Sequence, residues 1–301
     1  MDKLGEGLSA RWLEHLFSPA LLFWGGGLLI VGLHMGYEEA WAQLKDLDVN
    51  AQIVLVLAGL LLVALSSKLM EELRFSFLRL LEGYWRAPLS WLAEPLRLRQ
   101  WRRIEKGRNR WNELMQRREK GILTYAEARE LARLEVEGHY APAAGEDCLP
   151  TALGNILRAA EAAPRERYGL DAVICWPRLW MLLPQEVRQV LGESRRALDL
   201  RVELWAWGLL FLGWAFLWPW AALIALGWMW LAYALAMDSA RVYADLLESA
   251  FDLYRWILYE AANWEKPARS GEAEITLGKR LTEFFWRGTS AQPISYIQPH
   301  V

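Results

Sequence analysis

Residues 204–237 read LWAWGLLFLGWAFLWPWAALIALGWMWLAYALAM, thirty-four consecutive positions without Asp, Glu, Lys, Arg or His. Wound as one α-helix the run would be about 51 Å long, against roughly 30 Å for the hydrocarbon core of a bilayer. One crossing cannot use it. Pro219 stands near the middle, and a proline lacks the amide hydrogen and crowds the preceding turn, so one helix stops there and another starts. The run predicts a hairpin, 204–218 out and 220–237 back. Trp205, Trp207, Trp214, Trp218, Trp220, Trp228 and Trp230 fall partly near its ends and turn, the headgroup depth that amphipathic rings prefer. The chain reads as an integral membrane protein.

Two earlier blocks repeat the pattern. Ser18-Pro19 supplies an N-cap and a first-turn proline for an apolar block at 20–35. Gly25, Gly26, Gly27, Gly32 and Gly36 lie in or just after it, small residues that let helix backbones approach closely in lipid. A second block, 51–67, is long enough to span, and its helical pattern continues with charged residues to Gly83. Residues 1–16 carry Leu4, Leu8, Trp12 and Leu16 among charges and read as an interfacial helix. That block begins near Phe17 after a mixed-charge start and lacks an A-x-A exit, so no cleavable signal peptide is expected.

Charge then fixes the expected orientation. Of 34 Lys and Arg, only Lys45 lies in the turns between paired spans; the other 33 fall on the opposite side. By the positive-inside rule both termini and the central region are cytoplasmic, in a plasma (bacterial inner) membrane. The expected layout is all-α, with four transmembrane helices and a helical cytoplasmic domain. An interfacial helix (1–16) precedes hairpin one with its extension (17–83) and the cytoplasmic domain (84–203). Hairpin two with its extension (204–264) and a C-terminal tail (265–301) follow. Spans without acids or bases exclude a proton-coupled pump or an intramembrane metalloprotease, both of which need ionisable groups at depth.

The cytoplasmic region opens with a basic, Trp-bearing stretch, 85–120, in which Pro88 and Pro95 are expected to break the first half. Arg97, Arg99, Arg102, Arg103, Trp101 and Trp111 read as a surface drawn to anionic lipid. No RNA-binding or helix-turn-helix pattern accompanies these charges, so no nucleic acid is expected. Thr124 and Glu127 form a T-x-x-E capping box. In 149–184 a helix is expected over 151–161, a turn at 164–169, and an apolar run at 170–183 that is too short to span. Asn155, Arg167, Tyr168, Asp171, Trp176 and Arg178 read as structural core there. After the hairpin, Tyr243, Leu247, Ala250, Tyr254, Ile257 and Ala261 alternate three and four apart, a helix-packing seam. Asp238, Asp245, Glu248 and Asp252 share one face, either as partners for nearby Arg or as the acidic lining of a pore mouth.

Cys148 and Cys175 show neither C-x-x-C nor a flanking His pair, so no metal site or disulfide framework is indicated. There is no H-E-x-x-H, G-x-S-x-G, Walker loop or G-x-G-x-x-G, and four His offer little general-base material. No cofactor is expected, and an enzyme is unsupported.

The segments LGNILRAAE, RYGLDAVICWPRLW and AFDLYRWILYEA, with SPAL at the first span, resemble a family of bacterial four-span integral membrane proteins that share an LGN…RYGLDA…WPRL core. That family has no activity attached, so the resemblance implies topology and transfers no functional residue. The two-plus-two layout with a helical cytoplasmic body is also similar to bestrophin-type channels in architecture alone. Two readings follow. One is a homo-oligomeric pore or membrane effector; the alternative is a non-conducting scaffold or signalling subunit that docks a cytoplasmic partner. A lipid-directed enzyme built on 149–184 ranks last.

Overall fold

The computed structural model describes residues 18–36, 45 and 47–288. The interfacial helix expected at 1–16 and the chain end from 289 lie outside them. Among the described residues the protein is all-α: there are nine α-helices and no strand. They are α1 Pro19–Met35, α2 Val49–Glu82, α3 Ser90–Glu119, α4 Tyr125–His139 and α5 Ala152–Tyr168. Then come α6 Ala172–Leu182, α7 Gln185–Phe211, α8 Trp220–Ala261 and α9 Glu272–Arg287.

Local chemistry explains most boundaries. Ser18 Oγ accepts from the Leu21 amide at 3.3 Å and opens α1. Thr124 and Glu127 exchange both bonds of a capping box at α4. Thr151 caps α5 and Asp171 caps α6, each accepting an amide bond three residues on. Three expectations are corrected. Pro95 lies inside α3, and Pro164 lies inside α5, which continues to Tyr168 before Gly169 ends it at φ +72°. Each proline removes one ladder bond, which the surrounding packing outweighs. The helix expected over 204–218 is the end of α7 and stops at Phe211: it tightens to a 3₁₀ segment over Leu212–Phe216, and the Leu217 and Trp218 amides both bond the Trp214 carbonyl.

The chain forms two compact units. The first takes residues up to Leu78 and Asp199–Ala236. Its buried centre is Ala20, Met70, Ala206 and Trp207, flanked by Phe23, Val63 and Phe77. A Cβ on Gly27 would lie 2.2 Å from the Trp214 ring, one on Gly26 2.9 Å from Phe211, and one on Gly208 2.8 Å from Trp228. A side chain at any of the three would force a neighbouring side chain to move. Gly32 is buried, Gly25 meets nothing within 4 Å, and Gly36 follows α1 at φ +90°. Trp24 Nε1 donates to Ser66 Oγ at 3.1 Å, joining α1 to α2.

The second unit takes Arg79–Leu198 and the chain from Met237. α3 packs on α4, while α5, α6 and α9 pack against one another. The region expected as a tail bearing a short helix near 277–286 carries α9, and α9 is a wall of this unit. Its approach depends on two glycines: a Cβ on Gly278 would sit 1.9 Å from the Tyr168 carbonyl oxygen, and one on Gly169 2.0 Å from that of Ile275. Thr282 Oγ1 accepts from the Asp171 amide and donates to the Gly169 carbonyl, each at 3.2 Å. Arg255 Nε donates to Glu274 Oε1 at 2.7 Å, the glutamate being buried and the arginine largely covered. Of the expected seam on α8, Leu247 and Ala250 are buried, Tyr243, Tyr254 and Ile257 are only partly covered and Ala261 is exposed, while Ala240, Ala244, Phe251 and Leu258 complete the buried face.

Candidate functional site

The acidic row of α8 is consumed within its own unit. Glu248 is buried and holds Arg167 Nη2 at 2.8 Å, and the same guanidinium reaches Asp252 at 3.7 Å. Tyr168 donates its hydroxyl to Asp252 Oδ1 at 2.6 Å. Tyr140 donates to Asp245 Oδ2 at 2.9 Å, with His139 Nε2 3.4 Å from the other oxygen. Asp238, paired with Arg241 at 2.9 Å, and Asp245 are exposed, Asp252 is partly covered, and Glu248 alone of the row is buried. Burial pushes the Glu248 carboxyl above its ordinary range, against the pull of Arg167. Tyr168 is raised by burial and then by its bond to Asp252. This geometry clamps α8 to the ends of α4 and α5. Of the two chemistries open to such a row, partnership with arginine is the one these distances display.

The residues expected in the core of 149–184 divide between distinct tasks. Asn155 accepts from the Leu149 amide at 2.6 Å and donates to its carbonyl at 3.1 Å, fixing the loop before α5. Trp176 stacks on Trp180 and Phe251. Arg178 donates to the carbonyls of Ile174 and Phe285 and covers the Phe285 ring at 4.7 Å. Arg167 and Tyr168 face α8, whereas Asp171 caps α6, so these three do not form one cluster. The sequence did not reveal Asp147, which is buried and receives Arg158 at 2.5 Å and Arg165 at 2.6 Å. It sits in a loop without periodicity, and only tertiary packing brings α5 to it.

The basic face of α3 also divides. Arg97 is held by Glu94 and donates to the Gly145 carbonyl at 2.9 Å. Trp101 packs on Gly145, where an added Cβ would meet its ring at a tight 3.2 Å. Arg110 is paired with Glu113 and Glu130, and Arg117 with Glu127. Arg99, Arg102, Arg103 and Lys106 are exposed and have no ion-pair partner among the described residues. Spacings of three and four put Arg99, Arg102, Arg103 and Lys106 on one broad face. Trp91 and Leu98 are exposed beside it.

In the first unit, α2 presents apolar side chains on every side. Ile53, Val54, Leu55 and Val56 are consecutive, so they sweep a full helical turn, yet they are 53%, 63%, 53% and 60% exposed. Two helices, α2 and α8, are long and apolar enough to cross a membrane. Cys148 and Cys175 are free and buried, and burial raises the Cys175 thiol to about 11. Among the described residues no group of three or more His, Cys, Asp or Glu is placed to hold a metal ion. In comparisons with family models, curated proteins and solved structures, the chain matches none of them.

Proposed function

We propose that the protein is a four-span integral membrane scaffold or signalling subunit, non-conducting, whose helical body lies on the cytoplasmic side and docks there. The observation that carries the membrane reading is the surface of α2. A helix apolar around its whole circumference and left uncovered is stable only against lipid or another apolar chain. Spans one and three are α1 and the segment 204–216. At 1.5 Å per helical and 2.0 Å per 3₁₀ residue they reach about 26 and 22 Å against a core of roughly 30 Å, and Trp205, Trp207 and Trp214 lie toward the ends of the second, where interfacial rings settle. The open cations of α3 rest on anionic headgroups, each contributing on the order of 1 kcal/mol.

Engagement of Glu248 and Asp252 by Arg167, of Asp252 by Tyr168 and of Asp245 by Tyr140 within one unit favours the scaffold over the homo-oligomeric pore, because these carboxylates already hold partners of their own chain. Reconstitution into liposomes under a potassium gradient tests this. Flux at the protein-free level, unchanged in Asp245→Asn and Asp252→Asn, is the expected result. Saturating cation flux that falls in those variants overturns it and restores the pore. The span count is tested by single cysteines at positions 45 and 218, which an impermeant maleimide should label from outside intact cells. Labelling only after permeabilisation refutes the topology.

A further inference from the structure

The second unit contains a cavity of about 420 Å³ walled by α3, α4, the start of α5 and the 237–241 stretch of α8. That volume lies in the range of small-molecule sites, roughly 300–1,000 Å³. Ile104, Trp111, Leu134, Ile156 and Met237 give it an apolar interior, and three guanidiniums, Arg103, Arg108 and Arg241, line it. Their charges are poorly compensated. Arg103 has no acid partner among the described residues. Arg108 donates only to the neutral carbonyls of Pro142 and Ala143, at 3.3 and 3.1 Å. Arg241 is paired with Asp238 on the solvent side. Of the two acids on the wall, Glu137 is 3.6 Å from Arg133, which leaves Glu135 against the cations.

Two helical glycines on the wall add an independent observation. Gly107 lies inside α3, and Gly138 lies in the last turn of α4. A helical glycine costs about 0.5–1 kcal/mol relative to alanine, so it needs a reason. At Gly154 and Gly278 the reason is contact, because an added Cβ would meet backbone at 2.0 Å or less. At Gly107 the nearest atom is Leu134 Cδ2, at an ordinary 3.7 Å, and at Gly138 nothing lies within 4 Å. Packing does not require either, and both line the cavity.

We propose that this cavity binds a small anionic amphiphile, its anionic group on Arg103 and Arg108 and its apolar body against Ile104, Trp111 and Leu134. Guanidinium forks suit phosphate or carboxylate, and the apolar interior accepts a chain or ring. The same chemistry is offered by an anionic lipid or by a soluble acyl or alkyl phosphate. The inference goes beyond the scaffold reading and holds whether or not the protein conducts.

The test is calorimetric titration of the full chain in a non-ionic detergent with four probes: dihexanoyl phosphatidate, hexyl phosphate, dihexanoyl phosphatidylcholine and inorganic phosphate. The two anionic amphiphiles should bind saturably at one per chain, at least tenfold tighter than the zwitterion or phosphate. Phosphatidate ahead of hexyl phosphate identifies a lipid; the reverse order identifies a soluble ligand. Arg103→Ala with Arg108→Ala should weaken binding tenfold or more. Gly107→Leu fills the cavity and should abolish binding while the melting temperature holds or rises, with Gly107→Ala as the folding control. Overturning results are no binding by any probe, equal binding of the zwitterion, or binding that survives Gly107→Leu in a folded protein.

Discussion

Replacing Gly278 by alanine should unlatch α9 from α5 and α6 and expose one thiol ahead of the other. The new methyl carbon would stand 1.9 Å from the Tyr168 carbonyl oxygen, where a carbon–oxygen contact needs about 3.3 Å. The backbone on both sides is helical, so no side chain can swing aside, and α9 has to retreat by about 1.4 Å. Overpacking against backbone at so short a contact costs roughly 2–3 kcal/mol, the upper part of the usual range, set against about 1 kcal/mol gained in helix propensity. A net loss of about 1–2 kcal/mol multiplies the opened population by roughly 5 to 30. Cys175 reports it directly, since its Sγ lies 3.7 Å from Thr282 Oγ1 on α9 and the residue is fully buried. The chain has only one other cysteine, Cys148, whose Sγ faces the Arg97 and Leu149 carbonyls well away from α9 in sequence. The assay is alkylation by N-ethylmaleimide, followed by peptide mass spectrometry at each site. Cys175 should react about 5 to 30 times faster in the variant while Cys148 holds its rate. The comparison variant is Gly192→Ala on α7, where an added Cβ meets nothing within 4 Å; it should leave both rates unchanged or slower. Equal Cys175 rates in Gly278→Ala and Gly192→Ala refute the argument from close approach.

Three further outcomes follow from buried polar groups. Tyr259 is fully buried, and its hydroxyl has no hydrogen-bond partner among the described residues, so Tyr259→Phe should raise the chemical-denaturation midpoint by an amount equivalent to about 1 kcal/mol; a drop would show that the hydroxyl is bonded. Arg167→Ala strands the buried Glu248 carboxylate and should cost about 2–3 kcal/mol, discounted because the guanidinium is half exposed. Adding Glu248→Gln should recover part of that loss, and strict additivity of the two substitutions would argue against the pair. Burial raises Glu82 above the ordinary carboxylate value of 4.5, despite its bond from Arg79. Its contribution to stability is therefore complete below pH 4.5 and fades as pH climbs through the raised value. Glu82→Gln cannot lose that proton, so the stability of wild type relative to the variant should decline from pH 4.5 to 7 in urea titrations; a flat difference contradicts the burial argument.

What the sequence disclosed was whatever is encoded within a few residues. The Ser18-Pro19 start, the Thr124 to Glu127 box and the stop at Gly83 are local hydrogen-bond and dihedral chemistry, and each sits at its expected position. The acidic row was legible as one face, because spacings of seven, three and four are helical arithmetic. Its partners were not, since Arg167, Tyr168 and Tyr140 stand some eighty to a hundred residues away and nothing local selects them over the other cations. Proline was over-read as punctuation: Pro95 and Pro164 each remove one bond from helices that have many others. Gly278 left no signal at all, because a glycine in an amphipathic helix looks the same whether a carbonyl or open solvent lies beside it. The cavity was equally silent, its wall being assembled from four helices.

The contact between Gly27 and the Trp214 ring has an evolutionary consequence. With only 2.2 Å available for a Cβ, a side chain at position 27 has to displace the Trp214 ring, and a smaller residue at 214 removes that demand. The two positions lie far apart in the chain yet are expected to vary together. A lineage that trims the ring first leaves glycine at 27 without moving an occupied side chain, which makes that order the easier of the two.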